Sequence, residues 1–346
     1  MKGSFVKKFF DLLFVSFFLL CVAGGSVPAS ADAVPPQKVY FVLWNECEEA
    51  CRGFWDYLKA SQGNVRIIQR NLRQRTDNLQ DIQNEIKKIS PDLLVTWGTL
   101  PTVGLLGTGN NGPVSEYGSI PALFMVVSQP VESGVVSSLV SQGRNITGVM
   151  HLVPLSEQLQ YARQVVAFER LGIIYNPAEV NSVAAVEQLR QYAKPMHFEL
   201  MERPLPLSAD GAPVADDIAA YVADLANKKA DLIYLGPDAF MNANRKILID
   251  TALDFSVPVF SASEGAVRND NALFAFVHRY YNVGQLAGKK AMMILKDKVQ
   301  AYDIPIETPQ RALLVVNMTA AQKTGVYPPF SLLLNADAVN VPVSGK

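Results

Sequence analysis

The stretch LGIIYNPAEVNS, residues 171–182, begins as an apolar run typical of a buried strand and breaks off at Asn176-Pro177. Asn176 can accept hydrogen bonds from the free N–H groups of a new helix, and proline suits the first helical position because it has no N–H. Glu179 stands three residues after this cap, as in a capping box. The stretch therefore predicts a strand that turns directly into a helix beginning at Pro177.

Similar strand-to-helix segments occur earlier in the chain, in the same order. VYFVLWN (39–45) resembles LGIIYNP (171–177), PDLLVTWGTLP (91–101) resembles ADLIYLGPDAF (230–240), and IPALFMVVSQP (120–130) resembles VPVFSASEG (257–265). The matched positions are offset by 131, 139 and 137 residues respectively. Any one match would mean little, because buried strands resemble one another, but three in one order predict two similarly built domains.

Apolar residues at helical spacing precede two of these strands. They are Leu79, Ile82, Ile86 and Ile89 before residues 92–96, and Val214, Ile218, Val222 and Leu225 before residues 231–235. Alternation of short apolar runs with helical patterns is typical of parallel sheets covered by helices. The sequence thus predicts an α/β fold made of two doubly wound parallel-sheet domains with a ligand cleft between them.

The N-terminal residues have the pattern of a secretory signal peptide. Lys2, Lys7 and Lys8 precede an apolar run at 12–23, and Ala29-Ser30-Ala31 offers small residues for cleavage. We therefore expect residues 1–31 to be removed and the mature protein to be periplasmic, with an uncleaved anchor as the alternative. Three lysines and one aspartate fall in this segment, so 28 basic and 31 acidic residues remain. This balance gives no reason to expect a nucleic-acid partner.

Cys47 and Cys51 are the two cysteines left in the mature chain. Their CxxxC spacing allows a local disulfide if the backbone there turns, whereas a redox motif needs CxxC. The three histidines are scattered without metal-ligand spacing, so we expect neither a metal nor a cofactor. The chain has no GxSxG elbow, HExxH motif or P-loop, and we expect that it is not an enzyme.

Ligands of doubly wound sheets bind where the strands run into helices. The polar residues at these places are candidates for the cleft wall: Asn45, Glu46, Thr99, Thr102, Ser128, Gln129, residues 176–182, Asp238, Ser263 and Glu264. The elbow at Asn176 allows two interpretations. It either caps a helix and does no more, or it presents amide donors and a partial positive charge to an anionic or polar ligand.

Several segments resemble the ABC-transporter substrate-binding protein family of the tryptophan/tyrosine type. They are GTLPT (98–102), VSQPVESGVVSSLVSQGRNITGV (127–149), YNPAEVNS (175–182), SASEG (261–265), RYYNVGQLAGKKAMMIL (279–295) and IPIETPQRALLVVNMTAAQKTG (304–325). The resemblance implies a periplasmic-binding-protein fold of the first type, with three crossovers between two lobes. It implies an N-terminal lobe of residues 36–146 plus 279–302 and a C-terminal lobe of residues 147–278 plus 303–340.

The resemblance also implies ligand-binding residues at the matching positions. Thr99 of the GTPA-like turn is expected to hold a ligand carboxylate, and the further positions are Gln129, Asn176, Asn181, Ser182, Glu264, Arg279 and Tyr280. The family usually has aspartate where this chain has Gln129 and Arg279. Two lost carboxylates and a gained guanidinium favour an anionic ligand over an amine, if both side chains face the cleft. Alternatively, Arg279 forms an ion pair at the surface or between the domains and does not bind the ligand.

We therefore expect an extracytoplasmic solute-binding protein of an ABC importer, which closes on one small polar or anionic ligand and works with a permease as a monomer. The ligand could be aromatic, since Trp44, Trp97 and Tyr281 lie near strand ends, although such residues more often fill the core. Two alternatives remain. One is a sensor module that signals to a membrane receptor, and the other is an extracytoplasmic enzyme on the same fold.

Overall fold

The fold consists of two parallel-dominated sheets, each covered by helices on both faces. In a computed structural model of the protein, the structure describes residues 35–109, 120–140 and 144–341. The predicted signal peptide at 1–31 lies outside these residues. Within the described ranges, no helix is long and apolar enough to cross a membrane.

The first lobe contains a five-stranded sheet with the strand order β2-β1-β3-β4-β5, and all its pairs are parallel. Its elements are β1 (Gln37–Leu43), α1 (Glu49–Ala60), β2 (Val65–Asn71), α2 (Leu79–Ile89), β3 (Leu93–Trp97), α3 (Thr99–Leu106), β4 (Ala122–Val127) and β5 (Ile146–Met150). The strands β1, β3 and β4 are almost wholly buried, as their apolar sequences require.

The second lobe contains a seven-stranded sheet with the order β12-β11-β10-β9-β8-β6-β7, in which only the β10–β11 pair is antiparallel among the described strands. Its strands are β6 (Arg170–Tyr175), β7 (Glu199–Pro204), β8 (Leu232–Leu235), β9 (Val259–Ser261), β10 (Phe274–His278), β11 (Ala312–Asn317) and β12 (Asp337–Val339). Its helices are α4 (Leu155–Val165), α5 (Val180–Ala193), α6 (Ile218–Asn227), α7 (Ala239–Ala243), α8 (Arg245–Asp254), α9 (Glu264–Asp270), α11 (Met318–Thr324) and α12 (Phe330–Leu333).

The strand orders confirm the predicted internal repeat. In the second sheet, β7-β6-β8-β9-β10 repeats the arrangement β2-β1-β3-β4-β5 of the first. The three matched segment pairs therefore correspond to β1 and β6, β3 and β8, and β4 and β9. Because these strands are parallel to one another within each sheet, each lobe presents the same kind of strand-to-helix turns at its carboxyl edge.

The chain passes between the lobes three times. The first passage follows β5, and the second leads from β10 into α10 (Tyr280–Leu295), which packs against α1 of the first lobe. The third follows a 3-10 turn at Ala301–Asp303 and leads to β11. The lobe bounds stay a prediction, but β5 pairs within the first sheet, so the first passage lies after Met150 rather than after residue 146. From Pro36 onward, the described residues form one compact unit.

Candidate functional site

A cavity of about 140 Å³ lies between the two lobes. The first lobe lines it with Trp44, Asn45, Glu48, Trp97 and Thr99, the second lobe with Glu179, Asn181, Asp238 and Arg245, and the passages between the lobes with His151 and Tyr280. An adjoining cavity of about 700 Å³ shares Glu48, Trp97, Arg245 and Tyr280 with it and extends to Glu264 and Arg279. The predicted ligand-binding residues are the eight matched to the family and Asp238, and four of these nine line the smaller cavity: Thr99, Asn181, Asp238 and Tyr280.

The elbow after β6 differs from its predicted form. The Oδ1 atom of Asn176 accepts a hydrogen bond from the N–H of Ala178 at 2.9 Å, which closes a short turn before the helix. Helix α5 begins at Val180, so the predicted start at Pro177 is wrong. Glu179 itself precedes the helix directly, and its side chain makes no capping hydrogen bond to the helix backbone.

Asp238 connects the elbows after β6 and β8. Its Oδ2 atom accepts hydrogen bonds from the N–H of Asn176 at 2.7 Å and from the Oγ of Ser182 at 2.6 Å. Its Oδ1 atom accepts from the N–H of Met241 at 2.8 Å and so caps α7. The carboxyl is 3% exposed, and burial raises its pKa. The structure thus brings Asn176, Ser182 and Asp238 together, with the first two buried behind the carboxyl.

Glu179 was one of the cleft-wall candidates at residues 176–182 but was not among the predicted ligand-binding residues. Its side chain is 5% exposed, and both carboxylate oxygens accept from the N–H of Ala239 at 3.0 Å. The Nδ2 atom of Asn181 donates to its Oε1 at 2.8 Å. Burial, and secondly the charge of Asp238, raises the pKa of Glu179 to about 7. The sequence places this glutamate in a strand-to-helix turn, where a ligand could bind, but its spacing from Asn176 was explained by a capping box.

Glu179 and Asp238 are two buried carboxyls that influence each other, and neither forms an ion pair in the described part of the chain. Each carboxylate oxygen can accept about two hydrogen bonds. Oε2 of Glu179 accepts from the N–H of Ala239 and Oδ1 of Asp238 from the N–H of Met241, and the N–H of Phe240 lowers the pKa of both carboxyls, but all these donors are uncharged backbone groups. Two buried carboxylates without a cation are costly, and this wall of the cavity is therefore suited to a positively charged group.

The opposite wall has the reverse polarity. Helix α3 begins at Thr99, and Gly98, which has a φ of 97°, directs the chain from β3 into this helix. The first turn of a helix has N–H groups without intrahelical partners and carries a partial positive charge. Thr99 adds a hydroxyl, whose oxygen accepts from the N–H of Ser128 at 3.3 Å and can donate its proton elsewhere. This wall is suited to a carboxylate.

Glu264 and Arg279 lie in the adjoining cavity. Oε1 of Glu264 accepts from the N–H of Tyr280 at 2.7 Å, so a second-lobe carboxylate caps the first-lobe helix α10. Its Oε2 pairs with Arg268 at 3.0 Å. Arg279 pairs with Asp337 at 2.8 Å, which corresponds to the ion-pair alternative for this arginine.

Gln129 lines a separate cavity of about 320 Å³ and has a φ of 50°. Gln129 and Arg279 therefore line different cavities and neither lines the 140 Å³ cavity, and their effect on the choice between an anion and an amine stays a prediction. The buried carboxyls of the 140 Å³ cavity are those of Glu179 and Asp238.

The loop after β1 borders the cavity and contains a disulfide. Cys47 and Cys51 are bonded, with Cα atoms 5.3 Å apart, and Cys47 precedes the first residue of α1. The chain therefore turns between the two cysteines, as the disulfide interpretation requires. Glu48 lies inside this ring and lines both cavities, so the bond fixes a segment of the ligand wall.

Three aromatic side chains surround the cavity, namely Trp44, Trp97 and Tyr280. Trp44 and Trp97 were candidates for stacking on a planar ligand. The third candidate, Tyr281, instead lines the adjoining cavity, and its hydroxyl donates to Asp56 at 2.9 Å.

Comparisons with known proteins identify the family and the fold of this chain. Residues 41–340 match the family described as ABC transporter substrate binding protein. A tyrosine-binding protein of Clostridioides difficile is 29% identical over 199 residues, which are 57% of this chain and 55% of that relative, so the match spans about half the length of the relative.

Two solved structures have similar folds over 88% of this chain and 99% of their own. One is a conserved domain protein of Vibrio cholerae, with a TM-score of 0.76 and 24% identity. The other is a domain from Streptococcus pneumoniae in complex with L-Trp, with a TM-score of 0.75 and 20% identity.

Proposed function

Because this chain belongs to the family of ABC transporter substrate binding proteins, we propose that it is an extracytoplasmic solute-binding protein of an ABC importer and that its ligand is an aromatic α-amino acid. The observation that carries the proposal is the pair of buried carboxyls, Glu179 and Asp238, on the wall of a cavity between the lobes. An ammonium group would donate hydrogen bonds to these carboxyls, which have no ion-pair partner among the described residues.

The two walls bind the two charges of an amino acid. The carboxylate of the ligand contacts Thr99 and the first turn of α3 in the first lobe, and its ammonium contacts Glu179 and Asp238 in the second lobe. Because opposite charges of one ligand contact opposite lobes, the ligand binds best when the lobes approach each other. Domain closure around the ligand follows from this arrangement, and the closed form is then the one that a permease recognises.

The aromatic part of the proposal rests on the remaining walls. Trp44, Trp97 and Tyr280 provide planar surfaces on which a ring can stack. The relative from Clostridioides difficile that carries the name tyrosine-binding protein supports the same class of ligand. The predicted signal peptide and the disulfide between Cys47 and Cys51 support a location outside the cytoplasm.

Isothermal titration calorimetry with L-tyrosine and with 3-(4-hydroxyphenyl)propanoate tests the ligand class, because the second compound lacks only the amine. We expect L-tyrosine to bind the mature protein and the deaminated acid to bind at least about tenfold more weakly, since a hydrogen bond between charged groups is lost. Equal or tighter binding of the deaminated acid would contradict the role of the two carboxyls and favour a purely anionic ligand.

The importer role needs a separate measurement in cells. We expect deletion of the gene to abolish high-affinity uptake of labelled L-tyrosine, and the intact gene to restore it. Uptake that is unchanged by the deletion, despite binding in vitro, would favour the sensor alternative.

A further inference from the structure

His151 is a buried residue of the cavity wall to which neither the sequence prediction nor the proposed function assigns a role. It directly follows β5, at the first passage between the lobes, and is 6% exposed. Its ring lies edge-on to the ring of Tyr280, with centroids 5.5 Å apart, and both side chains line the 140 Å³ cavity. His151 is therefore placed beside the aromatic part of the proposed ligand.

The imidazole of His151 is neutral at physiological pH. Burial, and secondly the nearby His278, lowers its pKa to about 3, although a hydrogen bond with the backbone carbonyl of Val127 acts in the opposite direction. A carbonyl can only accept, so the ring nitrogen that faces it carries the proton. The other nitrogen, Nδ1, has no hydrogen-bond partner among the described residues. In this tautomer Nδ1 is an acceptor.

Two more side chains of the same cavity have buried polar atoms without a partner in the described part of the chain. These atoms are Nε1 of Trp97, which can only donate, and Oδ1 of Asn181, which can only accept. Buried polar atoms in native proteins are nearly always hydrogen-bonded, and one left without a partner is destabilising. Three such atoms around one cavity indicate that their partners are polar atoms of a ligand.

We propose that His151 determines ligand specificity by accepting, at Nδ1, a hydrogen bond from an N–H or O–H group on the ring of the ligand. The site then prefers phenol and indole rings to rings without a donor. This inference rests on the proposed function, because it presumes that the cavity binds an aromatic compound. It adds the chemical group by which one aromatic ligand is distinguished from another.

Two ligand pairs that differ only in the ring hydroxyl test this role: L-tyrosine with L-phenylalanine, and 4-hydroxybenzoate with benzoate. Calorimetry on the mature protein should give about a tenfold preference for the hydroxylated member, as expected for one buried hydrogen bond. His151→Phe keeps a ring against Tyr280 and loses the acceptor, so the preference should fall to about one through weaker binding of the hydroxylated compound. His151→Asn keeps an acceptor near the position of Nδ1 and should retain part of the preference.

His197→Asn is the matched control, because His197 is exposed and lies in the second lobe between α5 and β7, where Asn also tolerates its φ of 52°. This variant should behave like the unmodified protein. A second measurement uses the unmodified protein and therefore does not depend on whether a variant folds. In protein labelled with ¹⁵N-histidine, the unprotonated Nδ1 resonance of His151 should move upfield when L-tyrosine is added and should remain in place with L-phenylalanine.

The outcomes separate this proposal from the proposed function. Equal affinities within both pairs, or an undiminished preference in His151→Phe, would overturn the role of His151 while leaving amino-acid binding intact. A hydroxyl preference for 4-hydroxybenzoate without any binding of the two amino acids would support His151 and contradict the amino-acid ligand. Failure of all four compounds to bind would overturn both proposals.

Discussion

Replacing Glu179 by Gln should make ligand binding weaker and less dependent on pH. The substitution preserves the size of the side chain and removes the charge that the proposed ammonium contacts. At pH 8 we expect the affinity for L-tyrosine to fall about 10- to 100-fold, because a hydrogen bond between charged groups contributes about 1.5–3 kcal/mol. The remaining affinity comes from Asp238, from the wall at Thr99 and from the aromatic side chains.

The pH dependence follows from the raised pKa of Glu179. With a pKa of about 7, roughly nine-tenths of this carboxyl is ionised at pH 8 and roughly one-tenth at pH 6. Binding of a cation requires the ionised form, so the unmodified protein should bind L-tyrosine about tenfold more weakly at pH 6 than at pH 8. Burial also raises the pKa of Asp238, and loss of its charge at low pH weakens binding of a cation in the same direction.

The other charged groups of the cavity do not reverse this sign. His151 has a pKa of about 3 and remains neutral throughout the range. Arg245 is paired with Asp270 at 2.6 Å. Burial raises the pKa of Glu48, and this carboxyl, which also faces the cavity, would add affinity for a cation as the pH rises.

Calorimetry at pH 6, 7 and 8, in buffers of different ionisation enthalpy, measures both the affinity and the protons released on binding. The unmodified protein should release protons near pH 7, and Glu179→Gln should release fewer. Glu187→Gln is the control, since Glu187 is an exposed residue of the same helix that pairs with Arg190. An affinity that stays constant from pH 6 to 8, or an unchanged pH dependence in Glu179→Gln, would refute the reasoning.

Three further predictions concern stability. Folding raises the pKa of the Glu179 carboxyl to about 7. Its protonated form therefore stabilises the fold below the pKa of the unfolded chain, and this stabilisation is lost as the pH rises through 7. As the pH rises from 5 to 8, the melting temperature measured by differential scanning calorimetry should therefore fall more for the unmodified protein than for Glu179→Gln. Gly284→Ala should lower the free energy of unfolding in denaturant by about 1–3 kcal/mol or more, because its Cβ would lie 1.9 Å from the carbonyl oxygen of Ala50. Gly265→Ala is the control and should be tolerated, because the nearest contact of its Cβ would be at 3.9 Å. Cys47→Ser should cost about 2 kcal/mol in denaturant unfolding, since the closed loop is short, and should weaken binding of L-tyrosine because the loop borders the cavity.

The fold was predictable because buried strands of a parallel sheet are nearly all apolar. β1, β3 and β8 each appear as short hydrophobic runs, and their order along the chain revealed the repeat. The strands β2 and β7 were missed for a physical reason. Both are edge strands, and their sequences VRIIQRN and ELMERP carry charges because one side of each strand is only partly buried.

Part of the candidate site was also predictable, because the topology decides where strand ends meet. Asp238 and Thr99 were identified from their places after strands, and the structure puts both on the wall of one cavity. Side-chain direction was not predictable in the same way. Gln129 directly follows Ser128, which lines that cavity, yet its left-handed backbone conformation places it against a different one.

Glu179 shows why local sequence patterns misassign residues of such a site. A glutamate three residues after an asparagine is explained by helix capping, which involves only neighbouring residues. The structure instead closes the turn at Asn176 with Ala178 and directs the Glu179 carboxylate to Ala239, 60 residues further on. A partner so distant in sequence is determined by the packing of β6 against β8, which no local pattern contains. A side chain that fits a capping motif and is then found buried beside a second carboxylate is therefore better assigned to a ligand than to its own helix.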